Sequence, residues 1–177
     1  IGQQFADIAI KERDAADTTA VLEADRKLSQ WQVGALYGEN GALNRKGKDT
    51  LGLPDETSKA FDSYYSEVAA GLTSDKQRMA LSKLSADRRE SLMRTLYQHS
   101  SSEMERHYDG EFKASIDTAR SAAALAYGDP KKVDEELQRG AKIIAANAVR
   151  KGLGEEARTA QLQQWSSTVH RDVVSRM

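Results

Sequence analysis

Apolar residues recur along most of the chain at steps of three, four and seven, the spacing that places side chains on one face of a helix. From Gln3 to about Val33 no proline or glycine interrupts the pattern. Ile8, Ala15, Leu22 and Leu36 recur at multiples of seven with Phe5 and Val33 nearby, which predicts a long helix with one thin, alanine-rich packing stripe. A lone narrow stripe buries too little to offset chain entropy, so this helix needs a partner.

The pattern then breaks. "ALYGENGALNRKGKDTLGLPDE" carries Gly38, Gly41, Gly47 and Gly52, and Pro54 stands where a first helical turn would begin. Beyond it, Phe61, Tyr64, Tyr65, Val68 and Leu72 lie at helical spacing, and "LTSDKQRMALSKL" restarts behind Thr73 or Ser74 with Met79, Leu81 and Leu84 as its apolar positions. A long helix follows from Asp87 to Tyr127 with Gly110 as its only breaker, on the order of 60 Å at about 1.5 Å per residue. "YGDPKK" is a turn, and Pro130 opens the next helix, with Val133, Leu137, Ile144 and Ala148 on one side. Leu162, Trp165, Val169 and Val173 mark the last helix, joined to its predecessor by "KGLGEE", whose glycines suit a left-handed cap.

These elements predict an all-α fold: an elongated bundle of long amphipathic helices with a glycine-rich joint and a C-terminal helical hairpin. The divisions fall at 1–34 for the first helix, 35–54 for the joint, 55–128 for the segment with the long helix, and 129–177 for the hairpin. Composition agrees, with 39% hydrophobic and 30% charged residues and two prolines in 177 residues. A formal charge of −1 supplies no field drawing the whole chain to nucleic acid or an anionic membrane. The longest mainly apolar run, "AKIIAANAV", falls far short of the roughly 20 residues a membrane span needs. There is no cysteine, hence no disulfide or thiol chemistry. Ile1 in place of methionine and the uncapped ending "TVHRDVVSRM" suggest a piece of a longer chain.

Four stretches carry candidate chemistry. "ENGALNRKGKDTLGL" loosely resembles the lytic transglycosylase pattern, in which Glu39 would be the general acid. Asn40 stands where that pattern needs serine, Gly52 and Leu53 come too close to the glutamate, and Pro54 replaces Met-Gln. The glycines match neither phosphate-loop spacing, and Arg45, Lys46 and Lys48 read as a solvated basic turn. His99, Glu103 and His107 share a helical face at i, i+4 steps, a spacing known from metal ligands, but residues eight apart lie about 12 Å from each other along the axis. His170 stands alone, and the alternative for the trio is a polar face, exposed or between helices. Lys76, Arg78, Lys83, Arg88, Arg89 and Arg94 form a basic run that would touch nucleic-acid phosphates if they shared a face, diluted by Asp75, Asp87 and Glu90. No serine lies in a nucleophile elbow, and Trp31 and Trp165 read as core or interface anchors. The residues therefore give no catalytic, cofactor-binding or metal site.

The order of features points further. The run from "ALYGENGALNRKGKDTLGLPDE" through "FDSYYSEVAAGLTSDKQRMAL" to "RRESLMRTLYQHSSSEMERHYDGE" resembles a segment of large virion proteins of tailed bacteriophages and prophages. That family shows an "LYxxxGALNRKGKDALGLP"-like turn, an "FD" helix, a "GLxxDxQRxAF"-like restart and a helix of the form "RRxxLxxxLxxHxxxEMxxYxxE". The matching pieces here are Leu36 to Pro54, Phe61 and Asp62, Gly71 to Leu81, and Arg88 to Glu111, with Thr50 where alanine is usual. "AYGDPKKVDEEL" and "RKGLGEEARTAQLQQWSSTVHRDVV" resemble the family's next hairpin. The resemblance implies a structural, internal, tail-associated or ejected component of a phage particle, found in the virion or in host cytoplasm before assembly, self-associating or bound to other virion proteins. A lytic domain, where such proteins have one, would lie elsewhere in the polypeptide. Two alternatives stay open: a peptidoglycan-lytic domain using Glu39, and a DNA-contacting module using the Lys76 to Arg94 region.

Overall fold

Proline placement and glycine turns set the element boundaries in the computed structural model, which describes residues 2–177. The described residues are all-α, with five helices: α1 (Gly2–Tyr37), α2 (Leu53–Ala70), α3 (Asp75–Leu125), α4 (Pro130–Arg150) and α5 (Glu155–Val174). No strand occurs among the described residues. Pro54 lies in the first turn of α2, followed by Asp55 and Glu56 at the end where the helix dipole favours negative charge. Pro130 opens α4 behind Asp129, whose Oδ1 accepts the Lys132 N–H at 3.3 Å. At the far end of α4, Leu153 N–H donates to Ala148 O and Gly152 N–H to Val149 O, the paired bonds of a Schellman cap, with Gly152 at φ 65°. The left-handed cap expected from "KGLGEE" is therefore present.

The restart at Asp75 and the helix expected from Asp87 are one 51-residue element, with Gly110 inside it. No proline or glycine lies between Asp75 and Asp87, and Ser82, Ser85 and Asp87 are residues that a helix tolerates in its interior, so the helix runs through.

The chain divides into two compact units, 1–105 and 106–177. In the first, α1, α2 and the α3 residues up to Glu105 enclose two clusters. Leu36, Ala42, Leu53, Phe61, Leu92 and Leu96 form one, and Ala24, Leu28, Val68, Leu72 and Leu81 form the other. Trp31 meets Phe61 edge-on at 5.7 Å and stacks on Tyr64 at 5.9 Å, as an interface anchor should.

Two apolar assignments are corrected here. The side of α1 that packs is Val21, Ala24 and Leu28, whereas Phe5, Ile8, Ala15, Leu22 and Val33 are exposed and only Leu36 of the expected stripe is buried. Apolar residues lie on both sides of this helix, so periodicity alone could not choose between them. On α3, Met79 and Leu84 are exposed, because the packed register runs Gln77, Leu81, Ser85, Leu92, Leu96.

In the second unit, Ala119 and Ala123 of α3, Val133 and Ile144 of α4, and Trp165, Val169 and Val173 of α5 make the core. The faces expected for α4 and α5 are the ones that pack. Their contact turns on one close approach: the Trp165 indole lies over Gly140, and its Nε1–H donates to Leu137 O at 2.9 Å. A side chain at residue 140 would occupy the space the ring fills.

Candidate functional site

The register that buries Leu92 and Leu96 does not stop where the apolar residues stop. One and two turns further along α3, the same face presents His99, Ser100 and Glu103. Polar groups at packed positions need polar partners, and the glycine-rich joint supplies them. His99 Nε2 lies 2.9 Å from Arg45 O, Ser100 Oγ donates to Thr50 O at 3.1 Å, and Gly47 N–H donates to Glu103 Oε2 at 3.3 Å. Lys46 Nζ sits 3.7 Å from the other Glu103 oxygen. Glu103 is 5% exposed, so its carboxyl group is buried and bonded to the joint. The HxxxE face that suggested metal ligands is therefore where a loop 50 to 56 residues away docks. His107 is half-buried beside Tyr108, with its ring 5.9 Å from the tyrosine ring.

The joint is shaped to lie on that face. It consists of two short 3₁₀ turns, Ala42–Asn44 and Gly47–Thr50. Gly47 and Gly52 adopt φ 51° and 76°, while Gly38 and Gly41 bring their α-carbons so near the Gly34 and Leu36 carbonyls that a Cβ would lie 2.5 Å from either oxygen. Asn44 Nδ2 donates to the Gly38 and Glu39 carbonyls, closing the first turn. Thr50 is fully buried and its hydroxyl donates to Gly47 O at 2.7 Å, so the threonine braces the second turn. Arg45 reaches across to Glu56 on α2 at 2.8 Å.

Glu39 gives the turn its carbonyl, and the residue is exposed. The concavity beside the joint, about 210 Å³, is lined by Trp31, Asn40, Arg45, Glu56 and Thr57 among others, and Glu39 is not part of it.

The basic run is mostly engaged within the fold. Lys76 pairs with Asp14 and Asp17, and Arg78 with Asp75 and Leu72 O. Arg88 forms a bidentate pair with Asp25 of α1, Arg89 one with Asp62 of α2 while also touching Ser58, and Arg94 pairs with Glu90. Arg88 and Arg89 thus tie α3 to two different helices. Lys83 is the member with no ion pair among the described residues. Arg89 donates hydrogen bonds that hold the Asp62 carboxyl below its usual range. In the second unit, hydrogen bonds from Lys151 and Arg150 do the same to Asp109, and Arg120 does so to Asp172. Arg150 also lies over the Tyr108 ring at 5.4 Å.

Sequence reasoning missed what His99, Ser100 and Glu103 hold. The available signal was their register, since they continue the Leu92 and Leu96 stripe rather than facing away from it. No helix of the described residues is long and apolar enough to cross a membrane. No protein-family model, characterised protein or solved structure matches the chain.

Proposed function

We propose that this chain is a non-catalytic structural segment of a phage or prophage virion protein that serves in particle assembly or genome ejection. One observation carries the reading. The separate pieces of sequence that resemble the virion family contact one another: the "GALNRKGKDTLGLP" turn lies on the His99 and Glu103 face, and the aspartate of "FD" pairs with an arginine of "RR". Gln77 of "QR" is buried, donates to Asp17 and accepts from Thr73 N–H. Residues that recur for catalysis converge on a cleft, whereas these are used up in mutual bonds, as scaffold residues are. The chemistry available to the segment is packing and association.

The reading is tested by inducing phage from the source strain, purifying particles on a density gradient and digesting them for mass spectrometry. Peptides of this chain should co-sediment with capsid proteins. Recovery only in the soluble, particle-free fraction overturns the proposal.

A further inference from the structure

The stripe of α1 that the bundle leaves outside has a pattern of its own. At 100° per residue, Phe5, Ile8, Ala15, Leu22 and Val33 fall within about 100° of arc, roughly 160° round the helix from Val21, Ala24 and Leu28. Phe5, Ile8, Leu22 and Val33 are 68%, 54%, 61% and 57% exposed. Three charged residues lie in the same arc, Glu12, Glu23 and Arg26, and none has an ion pair among the described residues, although Asp14, Asp17 and Asp25 of this helix all do.

Glu12 and Arg26 are placed symmetrically about Thr19, and so are Phe5 and Val33. The Thr19 hydroxyl donates to Ala15 O at 2.9 Å, so it needs no outside partner. We infer that this face is the docking surface for a second copy of the same chain, with the two α1 helices antiparallel about a two-fold axis at Thr19. That pairing sets Phe5 against the partner's Val33 and Glu12 against the partner's Arg26. A parallel, in-register pair would instead set glutamate on glutamate and arginine on arginine, and like charges at a contact are costly. The overlap from Phe5 to Val33 is about 42 Å of helix, long enough to approach the ~800 Å² per partner of a standard interface. The inference stands apart from the virion reading, since its test uses the purified chain alone.

Sedimentation equilibrium of the full 177-residue chain should show a dimer between about 5 and 200 μM. Leu22→Lys and, separately, Ile8→Lys change exposed positions, so helical content and thermal midpoint should hold while the dimer weakens by more than about a hundredfold. The charge exchange Glu12→Arg should weaken it, and Glu12→Arg with Arg26→Glu should restore it. Because the chain lacks cysteine, Phe5→Cys mixed with Val33→Cys should give a mixed disulfide on mild oxidation, and Phe5→Cys alone should not cross-link. A monomer throughout the range gives the face to some other partner and overturns the proposal. So does a dimer that survives both lysine variants, or a Phe5→Cys homodisulfide, which would mean a parallel pair.

Discussion

Replacing Gly140 with alanine sets two effects of opposite sign against each other. In an open helix the change stabilises by about 1 kcal/mol, because glycine loses more backbone freedom than alanine. At Gly140 an added Cβ would lie 2.0 Å from Cζ2 and 2.2 Å from Cε2 of Trp165. Carbon atoms in ordinary contact are ~3.5–4.0 Å apart, so the ring would have to retreat by about 1.5 Å. It is not free to do so, being 6% exposed, hydrogen-bonded to Leu137 O and packed in the core with Val133, Ile144 and Val169. Losing that hydrogen bond costs about 1 kcal/mol, and overpacking a core costs about 1–3 kcal/mol more. The expected net result is a second unit less stable by about 1–3 kcal/mol after the helix-propensity gain is subtracted. Gly110→Ala is the matched control, a helical glycine whose added Cβ meets nothing within 4 Å, and it should stabilise by about 0.5–1 kcal/mol. The chain has two tryptophans, one in each unit, so in a Trp31→Phe background urea unfolding followed by fluorescence reports on Trp165 alone. Repeating Gly140→Ala in a Trp165→Phe background, with all four members of the cycle followed by far-ultraviolet circular dichroism because the tryptophan reporter is gone, should recover most of the loss, a coupling of about 1–3 kcal/mol. If Gly140→Ala raises the midpoint as Gly110→Ala does, the ring is not pinned and the reasoning is wrong.

Two further outcomes follow from the site geometry. Glu103→Ala leaves the Gly47 N–H without its acceptor and should destabilise the first unit by about 1–3 kcal/mol, with faster amide exchange from Arg45 to Thr50; unchanged exchange there would refute the docking role. Asp62, Asp109 and Asp172 titrate below their usual range when folded, so their contribution is complete above the unfolded value near pH 4 and is lost as pH falls through the lowered values. The urea midpoint should therefore be flat from about pH 7 to 5 and drop towards pH 2.5, by less in Arg120→Gln, which already lacks the Asp172 partner; a midpoint independent of pH below 4 would contradict this.

Helix starts and stops other than the one expected at Asp87 were legible because local chemistry decides them. Pro54, Pro130, Asp129 and Gly152 act on residues within one turn of themselves, and each marks the boundary its type implies. The faces of α2, α4 and α5 were legible because most of their apolar residues lie on one side, Val149 and Val174 being exceptions. On α1 they lie on two, and only the arrangement of α2 and α3 selects Val21, Ala24 and Leu28 over Phe5, Ile8 and Leu22. The role of the joint was hidden for a different reason. Arg45 and His99 are 54 residues apart, and no local pattern says that a histidine will meet a backbone carbonyl across that distance. What could be read was the chemical need, since a histidine and a glutamate in line with buried leucines must find polar company.

The dependence of the joint on α3 also orders events during synthesis. The residues of the joint that α3 holds are made 50 to 56 residues before Ser100 and Glu103, so α1 and α2 emerge from the ribosome with the segment between them lacking its bonds to α3. Until Glu103 arrives, Gly47 has no carboxylate to bond and Thr50 O has no hydroxyl. A nascent chain halted before Glu103 should therefore be cut by proteases between Gly38 and Gly52, and resistance should appear once α3 has grown past that residue.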